Sequence, residues 1–243
     1  MTAPIYAIGD IHGQREMLEE ALDLIAADGG PEARVVFLGD YVDRGPDCRG
    51  VLDLLIDGQA AGKNWTCLMG NHDRMFSMFM EDYPRNDARL LVGYHWLHDK
   101  IGGVETLASY GVGVPEGARI HEVHAEARAA VPEHHRAFLE GLPSHCEEEA
   151  LLFVHAGIRP GVPLSQQSED DKIWIRQEFL NDPRQHPWLV VHGHTHVPAA
   201  EHRGNRVNLD SGAGFGRPLT AAVFEGGRCW KLTPGERKRL RPA

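Results

Sequence analysis

Apolar positions along the chain fall into short runs that stop abruptly at glycine and polar residues. Ile5 to Ile8 lead straight into Gly9 and Asp10 within PIYAIGDIHGQ. Val35 to Leu38 end in Gly39 and Asp40, and NWTCLM ends in Gly70, Asn71 and His72. Further on, ALLFV ends in His155 and HPWLVVHGHTH ends in His192, His194 and His196. Apolar runs this short, closed by glycine, predict buried strands. The segments between the first three carry helical spacing. Met17, Leu18, Ala21, Leu22 and Ile25 share one face and are closed by Gly29 and Gly30, and RGVLDLLIDGQAAG follows the second strand. This β-α-β-α-β alternation predicts a largely parallel sheet at the front of the chain, covered on both faces.

From about residue 74 to 145 the pattern becomes helical, in DRMFSMFMEDY, ARLLVGYHWLHDKIGGVETLASYG and VHAEARAAVPEHHRAFLEGL, with breaks at Gly102, Gly103 and Gly111. We expect a helical insertion beside the sheet, with Tyr94, Trp96 and Tyr110 in its core. The runs NRVNLDSGAG, LTAAVFEG and RCWKL predict a closing β meander. Residues 234–243, PGERKRLRPA, read as a solvated basic tail. Residues 1–243 are thus expected to form one α/β domain with a helical insertion.

Composition narrows the function. The chain has 243 residues, 42% of them hydrophobic, enough to bury a sizeable core. A net charge of -10 disfavours non-specific binding to nucleic acid or an anionic membrane surface. Cys48, Cys67, Cys146 and Cys229 form no CxxC pair. Their spacing suits reduced thiols and a cytoplasmic location better than a disulfide framework or a zinc knuckle. No basic segment followed by a long apolar stretch suggests a secretory leader, and no apolar run reaches the roughly eighteen residues of a membrane span. The 15 histidines are unusual. His121, His124, His134 and His135 lie in polar runs and read as incidental, but others close the predicted strands.

Ligands of open α/β sheets bind beyond the carboxyl ends of the strands. Five apolar runs end in metal-competent or acid–base residues: Asp10 and His12, Asp40 and Asp43, Asn71 and His72, His155, then His194 and His196. This Asp/His/Asn mixture suits manganese, iron or zinc, and the lack of cysteine argues against a structural zinc site. The donors outnumber the needs of one ion and fit two divalent ions sharing a carboxylate, an arrangement that clamps phosphoryl oxygens. Arg44, just after Asp43, offers a planar fork of donors to phosphate.

Together GDIHG, GDYVDRG, GNHD, VHAG and HGHTH, spread from Gly9 to His196, resemble the metallophosphoesterase superfamily. GDYVDRG with GNHD is similar to its phosphoprotein phosphatase branch, which holds bacterial and phage serine/threonine phosphatases and diadenosine tetraphosphatases. The resemblance implies a β-sandwich of two mixed sheets flanked by helices, with a dinuclear metal centre. It implies Asp10 and His12 on a first metal, Asp40 bridging, and Asn71, His155 and His194 on a second. It also implies an acid–base pair of Asp43 and His72, with Arg44 and the Arg176 of KIWIRQEF binding phosphate. Arg159 in HAGIRPG is a weaker candidate for phosphate. The second histidine of GHTH is rare in this branch, although the wider superfamily places it on the first metal. Because a residue two positions along a strand returns to the same face, His196 is expected as a seventh ligand. DSGAGFG lacks the GxxxxGK pattern and reads as a turn near the site.

A phosphoester hydrolase follows from this set. Two cations lower the pKa of a bridging water, so that hydroxide attacks phosphorus in line. Arg44 and Arg176 neutralise the equatorial oxygens, and His72, oriented by Asp43, protonates the leaving oxygen. The expected substrates are phosphoproteins or small phosphate esters, cleaved as monoesters. The alternatives are dinucleoside polyphosphates or phosphodiesters, including phospholipid headgroups. A non-catalytic metal-binding scaffold is the rival outside enzymology, but it needs neither the Asp43–His72 pair nor Arg44.

Overall fold

The computed structural model describes residues 3–243. It opens with β1 (Ile5–Ile8), α1 (Arg15–Gly29), β2 (Arg34–Phe37), α2 (Cys48–Ala60) and β3 (Trp65–Cys67). β1, β2 and β3 pair in parallel, Ile5 opposite Arg34 and Val35 opposite Trp65. Parallel neighbours need crossover connections, which α1 and α2 supply. Next come α3 (Asn71–Phe79), α4 (Gly103–Ser109), α5 (Ile120–Ala130) and α6 (Glu133–Glu140), then β4 (His145–Glu148) and β5 (Leu151–Val154). After α7 (Glu169–Trp174) and α8 (Gln177–Leu180) run β6 (Leu189–His192), β7 (Glu201–His202) and β8 (Arg206–Asn208). β9 (Ala221–Glu225), β10 (Arg228–Thr233) and β11 (Glu236–Leu240) close the chain.

The strands form two mixed sheets, ordered β11-β10-β9-β1-β2-β3 and β4-β5-β6-β8-β7. This is the expected sandwich flanked by helices. Alternation along each strand sends Ala7, Val36 and Leu38 toward the second sheet, where they meet Phe153, Val191 and Val207. Tyr6, Ile8, Val35 and Phe37 point the other way, onto Leu18, Ala21 and Ile25 of α1 and Val51, Leu52 and Leu55 of α2. Beyond the second sheet, Leu152, Val154 and Val190 pack on Ile158, Ile175 and Phe179. With both faces of each central strand covered, the runs are apolar throughout. The front sheet is indeed covered twice, once by helices and once by another sheet.

Three expectations change. Residues 80–102 form turns rather than a helix, and Gly93 and Gly102 adopt φ of 87° and 97°, which a helix does not accept. β8 does not join the closing meander; it lies parallel to β6 in the second sheet. The meander is β9, β10 and β11, so 234–243 is not a solvated tail. Glu236 pairs opposite Thr233 and Leu240 opposite Cys229. Arg237 anchors the strand through donors 2.7 Å from both Asp28 and Glu225. Its run of Arg and Lys is the charge that sheet edges carry to avoid further pairing. Among the described residues, no helix is long and apolar enough to cross a membrane.

Candidate metal centre and active site

The parallel strands of both sheets open onto one site. Asp10 follows β1, Asp40 follows β2, Asn71 and His72 begin α3 directly after β3, His155 follows β5 and His194 follows β6. Six non-glycine residues among those described have positive φ, and five of them are here: His12, Asp40, Asp43, Arg44 and His194, between 49° and 72°. Such backbone costs about 1–3 kcal/mol per residue and persists only where surroundings enforce it. Asp73 does much of the enforcing. Fully buried, it accepts from the backbone nitrogens of Asp40 at 2.7 Å, Tyr41 at 2.9 Å and Gly70 at 2.9 Å. Gly70 is required by proximity, since a side chain there would collide with the Asp40 backbone.

Three carboxylates face one another inside this cup. Burial pushes the Asp10 carboxyl well above the usual carboxylate range, and the Asp210 and Asp40 charges push it further. The histidines move the other way. Burial holds His12, His72 and His194 well below the ordinary imidazole value and takes His155 down to about 4. Each is therefore neutral at pH 7 and owns a single N–H.

The protons of His12 and His155 are already committed. His12 Nδ1 donates to the Val42 carbonyl and His155 Nδ1 to the Leu38 carbonyl, both at 2.8 Å. Their Nε2 lone pairs then point inward. The bare Nε2 of His155 lies 3.0 Å from Asn71 Oδ1, which also sits 2.8 Å from His194 Nδ1. With the Asn71 carbonyl turned inward, lone pair faces lone pair, a clash that a cation between them relieves. The spacing agrees, because donors at right angles around an ion with bonds of about 2.1 Å lie about 3.0 Å apart. His194 Nε2 is buried with no partner. Donor atoms of His12, Asp40 and His72 lie within 4.8 Å of one another, as do those of Asp40, His155 and His194. Asp40 belongs to both groups. Neutral imidazoles, crowded carboxylates and a shared Asp40 fit a pair of divalent cations.

Beside the cup, His72 Nδ1 lies 2.6 Å from Asp43 Oδ2. The Asp43 carboxylate also accepts from Thr106 Oγ1 at 2.7 Å and from Trp96 Nε1 at 3.1 Å. Trp96 is in the core as expected, stacked on Phe76 at 5.0 Å, and it additionally fixes Asp43. Arg44 forks across the site, Nη1 donating to His12 Nε2 at 2.8 Å and Nη2 to His72 Nε2 at 2.9 Å. The His12 lone pair can serve this guanidinium or a cation, not both.

Arg176 lies within the field of Asp40, Asp10 and Asp210 and donates to Thr195 Oγ1 at 3.2 Å. Arg159 is turned away, paired with Asp171 at 2.7 Å and Glu178 at 3.1 Å, and braces its loop. His196 does not join the donor groups. β6 ends at His192 and His194 turns to a φ of 65°, so the two-residue strand period that placed His196 beside His194 no longer operates. Its ring is exposed and lies 4.9 Å from that of Phe215. Two buried residues of the site escaped sequence reasoning. Asp73 completes GNHD, and its signal is an acidic residue in the first turn of a helix. Asp210 follows β8, and NRVNLD places an aspartate just after its strand, as at Asp10 and Asp40.

Comparison with known proteins agrees with this geometry. The calcineurin-like phosphoesterase family profile matches residues 3–221. Asymmetrical bis(5'-nucleosyl)-tetraphosphatases of Geobacillus thermodenitrificans and Bacillus thuringiensis are 27% and 25% identical, each match covering 89% of both chains. The crystal structure of a candidate diadenosine tetraphosphatase is 25% identical with a TM-score of 0.65, covering 96% of this chain and 94% of that one. A cold-active protein-tyrosine phosphatase of a psychrophilic Shewanella shares the fold, with a TM-score of 0.62 at 17% identity over 99% of this chain and 81% of its own. The chain belongs to the calcineurin-like phosphoesterase family and is a hydrolytic phosphoesterase.

Proposed function

We propose that the chain is a dinuclear metal-dependent hydrolase of dinucleoside polyphosphates. The observation that carries the chemistry is the Asp43–His72 pair and Arg44 set against two donor groups that share Asp40. The substrate class rests on the tetraphosphatase relatives, matched over 89% of their length. Asp10, His12 and Asp40 would hold one cation, and Asp40, Asn71, His155 and His194 the other. Manganese is the first candidate, with iron or zinc as alternatives. When bound, the two ions lower the pKa of water and neutralise phosphoryl oxygens.

The remaining chemistry belongs to the chain. Arg44 releases His12 and His72 and turns its fork to the phosphoryl oxygens, its backbone still tied to the Gly102 carbonyl at 3.1 Å. Arg176 offers a second guanidinium. His72 keeps Nδ1 on Asp43 and presents Nε2 to the leaving oxygen. The Arg44 charge is among the influences that depress His72. Moving that charge onto phosphate favours the protonated ring that the leaving oxygen needs.

The monoesterase reading is retained as the second one, because Asp43, His72 and Arg44 serve an ester and an anhydride alike. A panel of diadenosine tetraphosphate, a phosphopeptide, p-nitrophenyl phosphate and bis-p-nitrophenyl phosphate, assayed with manganese, separates them. Diadenosine tetraphosphate should give ATP and AMP with the highest kcat/KM. A higher value for the phosphopeptide would establish the second reading instead.

A further inference from the structure

We propose that the groove between Arg44 and Phe215 seats a nucleoside and its outer phosphates, with Phe215 stacking on the base and Lys100 meeting the phosphates. This rests on the dinucleoside polyphosphate reading. The groove encloses about 460 Å³ beside Arg44, and its wall includes Asp99, Lys100, Glu105 and Phe215. Small-molecule sites begin at about 300 Å³. Phe215 is 57% exposed, whereas Phe37, Phe76, Phe153 and Phe179 are fully buried. An apolar ring left in water contributes nothing to the core.

The ring is nonetheless held in place. It ends a short 3-10 turn, Ala213–Phe215, flanked by Gly212 and Gly216 at φ of 86° and 76°. Gly214 packs so closely on His12 that an added Cβ would lie 2.7 Å from the imidazole ring. The turn is thereby tied to the metal centre. The Arg44 guanidinium lies 4.8 Å from the Phe215 ring centre, so the phosphate fork and the aromatic platform touch. A base on Phe215 is one phosphate chain away from the reacting centre.

The charges of the groove suit the same occupant. Arg44 and Lys100 supply cations for phosphates. The Asp99 and Glu105 carboxylates only accept hydrogen bonds, which suits ribose hydroxyls and disfavours a wholly anionic ligand. A phosphoryl monoester without a base uses Arg44 but none of the wall beyond it.

Kinetics on Phe215→Ala, Phe215→Leu and Phe215→Trp, with diadenosine tetraphosphate and p-nitrophenyl phosphate, test the assignment. Stacking on an aromatic side chain is typically worth about a five- to hundredfold change in binding. Alanine and leucine should each raise KM for the dinucleotide by about that factor and far more than for the aryl ester. Tryptophan should restore it. Lys100→Ala should raise the dinucleotide KM several-fold and weaken its dependence on salt. Equal losses on both substrates, or wild-type KM with leucine, would overturn the inference, because Phe215 would then only brace Arg44. If the unaltered protein cleaves p-nitrophenyl phosphate but not diadenosine tetraphosphate, the underlying reading fails and the inference with it.

Discussion

Replacing Asp43 with asparagine should change the proton on His72 while leaving the ring in place. Asp43 is fully buried and receives three donors: His72 Nδ1 at 2.6 Å, Thr106 Oγ1 at 2.7 Å and Trp96 Nε1 at 3.1 Å. Thr106 Oγ1 accepts from the Asp43 nitrogen at 2.8 Å and gives its proton to Asp43 Oδ1 at 2.7 Å, its other acceptor being Cys48 Sγ at a longer 3.5 Å. Trp96 Nε1 lies 3.1 Å from both oxygens and does not choose between them. Keeping the shorter Thr106 bond turns the asparagine carbonyl toward Thr106 and its NH2 toward His72. An N–H against an N–H is repulsive, so His72 then moves its proton to Nε2 and accepts at Nδ1. The imidazolium form, which the Asp43 carboxylate favours once the Arg44 charge has turned to phosphate, is then disfavoured further. General-acid help is worth about a hundred- to ten-thousandfold. Phenolate, a leaving group with a pKa of about 10, depends on it far more than p-nitrophenolate does. We expect Asp43→Asn to slow phenyl phosphate by about a hundredfold or more and p-nitrophenyl phosphate by about tenfold or less. His72→Asn should show the same bias more strongly, since it removes the donor itself. The assay is kcat on both esters with chemistry rate-limiting, alongside metal content and a thermal melt. Equal slowing of both esters at full metal occupancy would refute the proton-donor role and leave His72 as a phosphate-positioning group.

Other predictions concern the metals and the frame. Metal analysis should find two divalent ions per chain, with Asp40→Asn losing more metal than any other single ligand change; one ion at saturation with full activity would disprove the shared carboxylate. His196→Ala should keep both ions, as its exposed ring lies outside the donor groups, and selective loss of one ion would return it to the ligand set. Arg237→Ala should lower stability by about 1–2 kcal/mol in chemical denaturation at pH 7. Arg237 holds the Asp28 carboxyl below its usual range. Its contribution is therefore present above the unfolded carboxylate value and lost as pH falls below about 4. A stability difference unchanged between pH 7 and pH 3 would show that the ion pair contributes nothing.

How far the sequence could be read depended on whether a residue followed its local period. The central parallel strands were legible because each is covered on two faces, so residues 5–8 or 189–191 are apolar without interruption. The ends of those strands were legible for the opposite reason, a sharp change to glycine and ligand-type residues. His196 stands outside the donor groups because the strand period stops at His192, in a turn whose φ of 65° at His194 is itself part of the site. β11 was misread because an edge strand carries charge rather than alternation. Asp210 was overlooked because β8 was assigned to the meander; as a strand parallel to β6 it delivers its aspartate where the other strands deliver theirs. Asp73 was passed over because its work is on backbone nitrogens, which a residue pattern does not display. These misses share a cause. The site is built where regular φ and ψ stop, and the groups that enforce irregular backbone, Asp73 under Asp40 and Gly214 against His12, are chosen by neighbours distant in sequence. Periodicity therefore locates such a centre by the strands that point to it, while the support beneath it emerges only in three dimensions.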